Sequence, residues 1–434
     1  MKDICVFWFR RDLRLSDNCA LFHALNSGLP VLPIFIFDES ILEKLDDKND
    51  KRVDFIYQNI SILKNKLNEL GSDLIVEYGN VEEVWKNILH DHGVKKVFVN
   101  HDYEPDAINR DNIVKDIVST AGAHYHSFKD QCVFEKDEIV KDDGKPYTVF
   151  TPYSKKWKAK LDDFYLRSFP SEKYFNNFFK VENSTPLFPI ERIGFIKTNA
   201  IFPIADVSRN IIQNYSLQRD FPAINGTSHL GIHLRFGTIS IREKARLAMS
   251  LNETWLNELI WRDFYMMILF QFPHVAKSAF KKEYEQIAWR NNEDEFYCWC
   301  EGKTGYPIVD AGMRELNETG FMHNRVRMIV ASFLSKHLLI DWRWGEAYFA
   351  KKLLDFDLSA NNGGWQWAAG CGTDAAPYFR VFNPTLQTEK FDKKFEYIKK
   401  WLPDFGTTVY PKPIVEHLFA RNRCLEVYKK GLSR

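Results

Sequence analysis

Two domains of different class are predicted: an α/β domain over residues 1–130, built on a Rossmann-like parallel sheet, and an all-α domain over residues 201–434. Three observations predict them. Strand-like and helix-period segments alternate as far as Phe128. Strand signals fade after about Phe202. Nine of the 12 tryptophans lie at or beyond position 255, so aromatic enrichment belongs to the second half.

In order along the chain, apolar runs at Ile4–Phe9, Val31–Phe37, Leu74–Val76, Val97–Val99 and, more weakly, His124–Phe128 read as strands. Between the second and third, apolar residues at Val53, Ile56, Ile60, Leu63, Leu67 and Leu70 step by three and four, which is one face of a helix. Strand–helix alternation of this kind makes a parallel sheet covered on both faces. The segment contains neither G-x-G-x-x-G nor a Walker A run, so it lacks the usual backbone cradle for a pyrophosphate. Residues 131–200 form a connector with turn chemistry at Asp142–Pro146 and a loop at Asn183–Pro189. Helical periods then run over Thr254–Phe270, Gly305–Thr319, Asn324–Leu339 and Trp344–Phe356.

Composition excludes several classes. Hydrophobic content of 45% and charged content of 27% are those of an ordinary globular chain. A net charge of +1 gives no global attraction to nucleic acid; residues 389–434, with eleven Lys/Arg against six Asp/Glu, form a local basic excess or a solvated helical face. Seven cysteines without regular spacing fit a reducing compartment, and the lone C-x-C at Cys298 and Cys300 argues against a metal site. The start, Met-Lys-Asp, has no signal-peptide pattern, and no apolar run reaches the roughly 18 residues of a membrane span. A cytoplasmic location is expected.

The segment from Asp355 to Trp367 concentrates chemistry: two acids, three amides, two glycines and two indoles. Acids and amides suit a polar heterocycle, the glycine pair lets a flat group approach the backbone, and the indoles suit stacking or electron transfer. Thr227 and Ser228, after the Asn225–Gly226 turn, read as a helix N-cap or as a phosphate cradle. Glu258 and Trp261 share a helix face and read as an amphipathic edge or as a grip on a flat base. His323 reads as a core histidine or an acid, and Arg327 is placed to pair with Asp355 if their helices pack. H-E-x-x-H and G-x-S-x-G are both missing, which leaves metalloprotease and hydrolase readings unsupported.

Several long motifs then point one way: Phe7–Arg14, Tyr147–Tyr153, Arg219–Pro222, Asn257–Tyr265, Gly302–Ala311 and Asp374–Arg380. With them the chain resembles the photolyase/cryptochrome family over nearly its whole length, and most of all the class I cyclobutane pyrimidine dimer photolyases. The resemblance implies an all-α FAD-binding domain and light-driven repair of pyrimidine dimers in DNA, with a cryptochrome-type blue-light photoreceptor as the alternative. It implies that Tyr215, Thr227, Ser228, His229, Leu230, Gly231, Trp255, Arg262, Asp355, Phe356 and Asp357 frame the FAD, with Asn361 facing flavin nitrogen N5. Glu258, Trp261, Asn324, Met328 and Trp367 would line the lesion pocket. Arg325 and Gln387 would touch the DNA backbone, helped by Arg219 and Arg380. Trp365, Trp342 and Trp289 would carry electrons inward to the flavin. Asn324 stands where six-four photolyases have a second His, so the cyclobutane dimer is the expected lesion. UV-damaged DNA is the expected partner and a monomer the expected state.

The chain departs from the family at His229, where Arg is frequent, at Gly231, where Ser is frequent, at Phe321, where Trp is usual, and at Gly370-Cys371-Gly372. Asp106-Ala107 stands where folate-binding relatives carry Asn-Glu. That argues against a folate antenna and leaves a deazaflavin, another flavin or no antenna open.

Overall fold

The computed structural model describes residues 2–433. Six of the seven residues of strand β1 (Asp3–Phe9) are buried. A strand covered on both faces needs such a continuous apolar run. It is the centre of a parallel sheet of order β3-β2-β1-β4-β5, with β2 at Val31–Asp38, β3 at Ile75–Gly79, β4 at Gly93–Asn100 and β5 at His124–Phe128. Cys5 stands opposite Val31 and Phe9 opposite Phe35; against β4 the register slips between Ile4 and Cys5. The helix expected over 53–70 is Lys51–Glu69, begun earlier because the Asp50 side chain accepts from the Arg52 N–H. Ile4, Val6 and Trp8 form one core with Trp85 of the Val81–Asp91 helix, the two indoles edge to face at 5.5 Å.

The strand order reverses beside β1 and β4, the place where open α/β sheets usually bind ligands. Here the Phe7–Arg14 motif fills it with internal polar bonds. Arg10 donates to Asp111 and to the Asn100 carbonyl. Asn100 Nδ2 donates to Asp12 at 2.6 Å, and Arg11 to Asp102 and Glu104 at 3.1 and 3.0 Å. Arg14 and Arg242 both donate to Asp130, at 2.6 and 2.8 Å, and Arg242 also to Asp17 at 3.0 Å, all four side chains being largely buried. Residues 160–206 and 230–247 accordingly cluster with the sheet, and 136–159 with the helical unit. The chain thus passes repeatedly between units where the sequence reading draws three consecutive segments.

The second unit comprises residues 136–159, 207–229 and 248–434. Its helices Glu253–Gln271 and Pro307–Thr319 lie where the periods place them. The other two differ. Asn324–Ser332 passes into a π turn at Phe333–His337 rather than continuing as one α-helix to Leu339. Trp342–Lys352 begins two residues early, because the Asp341 carboxylate accepts from the Arg343 N–H, and ends early, because Leu353 is extended. Asp355 and Asp357 therefore stand between helices. Asp357 caps the next one, Leu358–Ala369, accepting from the Ser359 and Ala360 N–H groups at 3.1 and 3.3 Å. That helix packs tightly through glycine: a Cβ at Gly363 would lie 2.2 Å from the Tyr265 ring, and one at Gly345 of the preceding helix 2.1 Å from Trp365. Among the described residues no helix is long and apolar enough to cross a membrane.

Candidate functional site

Asn361 lies one turn beyond the Asp357 cap. Its Nδ2 donates to the Glu346 carbonyl at 3.1 Å and to Glu346 Oε1 at 2.8 Å. A carbonyl oxygen only accepts, so the Asn361 amide must turn its NH2 to Glu346 and leave Oδ1 on the other arm. Among the described residues nothing donates to that Oδ1. Burial pushes the Glu346 carboxyl up, and the Asn361 bond offsets part of the rise.

Gly364 and Trp367 follow Asn361 at steps of three on the same face. A Cβ built at Gly364 meets nothing within 4 Å. The glycine pair therefore divides its roles: Gly363 is spent on packing against Tyr265, and only Gly364 offers bare backbone to a flat group. The Arg327–Asp355 pair forms as expected, Nη2 reaching Oδ1 and Oδ2 at 3.1 and 3.0 Å, while Arg327 Nε holds the Met322 carbonyl at 2.7 Å. Phe356 packs against the large aromatic core.

His229 adopts a left-handed backbone, φ +52°, and its ring lies 4.3 Å from Phe321. Burial lowers its pKa, with Asp355 opposing. This reversal overturns the N-cap reading of Thr227 and Ser228: the next helix, Gly231–Phe236, starts later, with Leu230 at its cap and no side-chain bond there. Leu230 and Gly231 belong to the first unit, and Thr227 to His229 to the second. Tyr215 and Trp255 are buried and Arg262 is half-buried.

Glu258 and Trp261 share a half-buried face of the Glu253–Gln271 helix. Arg219 donates to Glu258. Burial raises the Glu258 pKa and the Arg219 charge pulls it back. Trp261 stacks flat on Phe150, 3.7 Å between centroids and 4° between planes. The Phe150 N–H in turn donates to Asp374 at 3.2 Å. Four motifs far apart in sequence thus meet around one indole and one carboxylate.

His323 caps the Asn324–Ser332 helix through Nδ1, which accepts from the Arg325 N–H at 3.2 Å. Burial, with Arg327 adding, depresses its pKa to about 4, so it stands as a neutral core histidine. Asn324 is exposed. Arg325 donates to Asp220 at 2.7 Å, lies over Phe391 at 4.4 Å and approaches the Met328 sulfur at 3.7 Å. Gln387 is half-buried in the Pro384–Phe391 helix and Arg380 is exposed.

Trp365 and Trp342 are 2% and 3% exposed in one hydrophobic core, and Trp289 packs half-buried against it. The nearest ring neighbours of Trp365 are Phe349 at 5.0 Å and Trp299 at 6.0 Å. Trp289 meets Tyr428 edge to face at 5.9 Å. Sequence reasoning singled out neither Trp299, Glu346 nor Asp220. Asp220 lies in the Arg219–Pro222 motif and Phe150 in the Tyr147–Tyr153 motif, whereas Glu346 carries no local signal.

A family model for the FAD binding domain of DNA photolyase matches residues 255–408, and one for DNA photolyase matches residues 5–173. The chain is 38% identical to a deoxyribodipyrimidine photo-lyase of Salmonella typhimurium, over 97% of this chain and 98% of the relative. It is 37% identical to that of Escherichia coli, with the same coverage. Among solved structures, a bacterial class III photolyase from Agrobacterium tumefaciens superposes with a TM-score of 0.88 at 31% identity, covering 100% of this chain and 98% of the other. An archaeal photolyase from Sulfolobus tokodaii, solved with two FAD molecules, gives 0.83 at 35% identity, covering 99% and 100%. By full-length similarity and by the matched domains, the chain belongs to the DNA photolyase family and carries its FAD-binding domain.

Proposed function

We propose that this protein is a deoxyribodipyrimidine photolyase, a lyase that uses light and reduced FAD to split cyclobutane pyrimidine dimers in DNA. The observation that carries the reading is the Asn361–Gly364–Trp367 face: an amide oxygen to which none of the described residues donates, bare backbone, and an indole in one row. A reduced isoalloxazine ring, flat and bearing N–H at N5, fits that row. When bound, the flavin supplies an electron under light and takes it back, which leaves no net redox change.

The chain's own residues do the rest. Asn361 Oδ1, with the amide orientation held by Glu346, would accept a hydrogen bond from a reduced flavin without adding charge. Asp355, clamped by Arg327, would give the flavin a fixed acceptor. A pyrimidine dimer must leave the duplex stack to reach the flavin. Trp261, its back held by Phe150, presents one rigid face to replace the lost stacking, and Trp367, Asn324 and Met328 complete the pocket. Glu258 hydrogen-bonds the flipped bases. Arg219, Arg325, Arg380 and Gln387 position the DNA backbone without reading sequence. Trp289, Trp342 and Trp365 run from a half-buried to a fully buried position, as a relay carrying electrons inward requires. We read the protein as a monomer in the cytoplasm, where its seven free cysteines stay reduced.

The test is direct. Reduced protein is mixed with an oligonucleotide carrying one cyclobutane thymine dimer, and thymine absorbance is followed in light and dark. Recovery only in light supports repair. Failure to recover with reduced FAD bound shifts the reading to a photoreceptor.

A further inference from the structure

Two of the three cations placed on the DNA backbone, Arg219 and Arg325, already hold carboxylates inside the chain. Arg219 donates to Glu258, and Arg325 to Asp220 at 2.7 Å. Arg219 Nε also stands 4.0 Å from Asp220. The result is one row of alternating charge, Glu258–Arg219–Asp220–Arg325, that joins the lesion-pocket acid to the backbone clamp. Arg219 lies over the Tyr215 ring at 5.4 Å and Arg325 over Phe391 at 4.4 Å. An aromatic platform steadies a guanidinium while leaving its N–H edges free to change acceptor. Side-chain exposures of 27% for Arg219 and 40% for Asp220 leave the middle of the row within reach of a phosphate.

Glu258 depends on that row more than on its own helix. Burial raises its pKa, Arg219 lowers it by charge and hydrogen bond, and Asp220 raises it again. The remaining neighbours that sense its charge are the Tyr215 and Tyr265 phenols, each raised above the ordinary value chiefly by burial and so neutral. Once Arg219 turns away, burial and Asp220 are left, and both favour the protonated acid.

We propose that Arg219 is exchanged between Glu258 and a DNA phosphate, so that backbone engagement converts Glu258 from an ion-paired carboxylate into a protonated hydrogen-bond donor for the flipped bases. The inference rests on the repair reading for the position of the lesion and adds how the acid is armed. The balance is simple: Arg219 keeps its charge and pairs with phosphate, and Glu258 takes one proton from solvent for each DNA bound.

The test is proton uptake on binding lesion-containing duplex in the dark. It is measured by calorimetry of the FAD-loaded protein in two buffers of different ionisation enthalpy, at about pH 6, between the ordinary carboxylate range and neutrality. Wild type is expected to take up close to one proton. Glu258→Gln should take up none. Arg219→Gln should also take up none, because its Glu258 is already protonated, and its carboxylic-acid infrared band should be present before DNA is added. Arg219→Lys, which keeps the charge, should restore uptake. Uptake near zero in wild type, or undiminished in Arg219→Gln, overturns the exchange. Light-driven repair without proton uptake would sink this inference alone, whereas failure to bind or repair the lesion sinks the repair reading itself.

Discussion

Gly364→Ala is expected to strengthen the fold and weaken the cofactor site at once. A Cβ there meets nothing within 4 Å, and the position is interior to the Leu358–Ala369 helix. In the FAD-free chain the substitution should therefore stabilise by about 0.8–1 kcal/mol, the intrinsic advantage of Ala over Gly. With a ring laid on the same backbone, the methyl intrudes into the contact. Overpacking costs about 1–3 kcal/mol, and shifting the ring off Asn361 loses a hydrogen bond of about 1 kcal/mol. A combined loss of about 2–4 kcal/mol weakens FAD binding about 30- to 1,000-fold. Thermal unfolding of FAD-free protein reads the first effect, and flavin fluorescence titration reads the second. Gly363→Ala serves as the contrast: its Cβ would strike the Tyr265 ring, so it should destabilise the FAD-free fold. If Gly364→Ala binds FAD as tightly as wild type, this face does not hold the flavin.

Buried charge and ionisable pairs elsewhere in the chain set further expectations. Asp130→Asn leaves Arg14 and Arg242 without their shared buried carboxylate and should cost about 3–5 kcal/mol, read by urea unfolding. Asn361→Asp sets a second carboxyl against Glu346 Oε1, whose present contact is 2.8 Å. The pair must then share a proton, which raises a folded pKa above its unfolded value. That stability is present in acid and lost as pH rises, by about 1–3 kcal/mol; unfolding at two pH values checks it, and adding Glu346→Gln should abolish the effect. His337 is buried, and its pKa is depressed from 6.5 to about 3 by burial, with His417, Arg423 and Lys336 adding. Its contribution is complete above 6.5 and lost as pH falls toward 3, on the order of 4–5 kcal/mol. His337→Gln should flatten the acid limb of a stability–pH curve, and an unchanged limb would remove His337 as its source.

The sequence by itself determined what depends on neighbours along the chain. Buried parallel strands announce themselves as unbroken apolar runs, as at Ile4–Phe9, and helices by their period, as at Val53–Leu70, because burial on one or both faces imposes those spacings locally. Local composition marked the Asp355–Trp367 segment as site material, and the family resemblance gave Asn361 its place within it. Tertiary structure decided how these residues are used. Asn361 has one orientation because a carbonyl fifteen residues earlier can only accept. Gly363 and Gly364 are indistinguishable in sequence; Tyr265 on another helix makes one a packing residue and leaves the other bare. Thr227 and Ser228 failed as a cap because His229 reverses the backbone before the next helix begins, and its ring comes to lie against Phe321 of a distant segment. Arg14, Asp130 and Arg242 meet across more than a hundred residues at each step. Charge pairing and close packing act through space, and only the folded chain says which side chains share it.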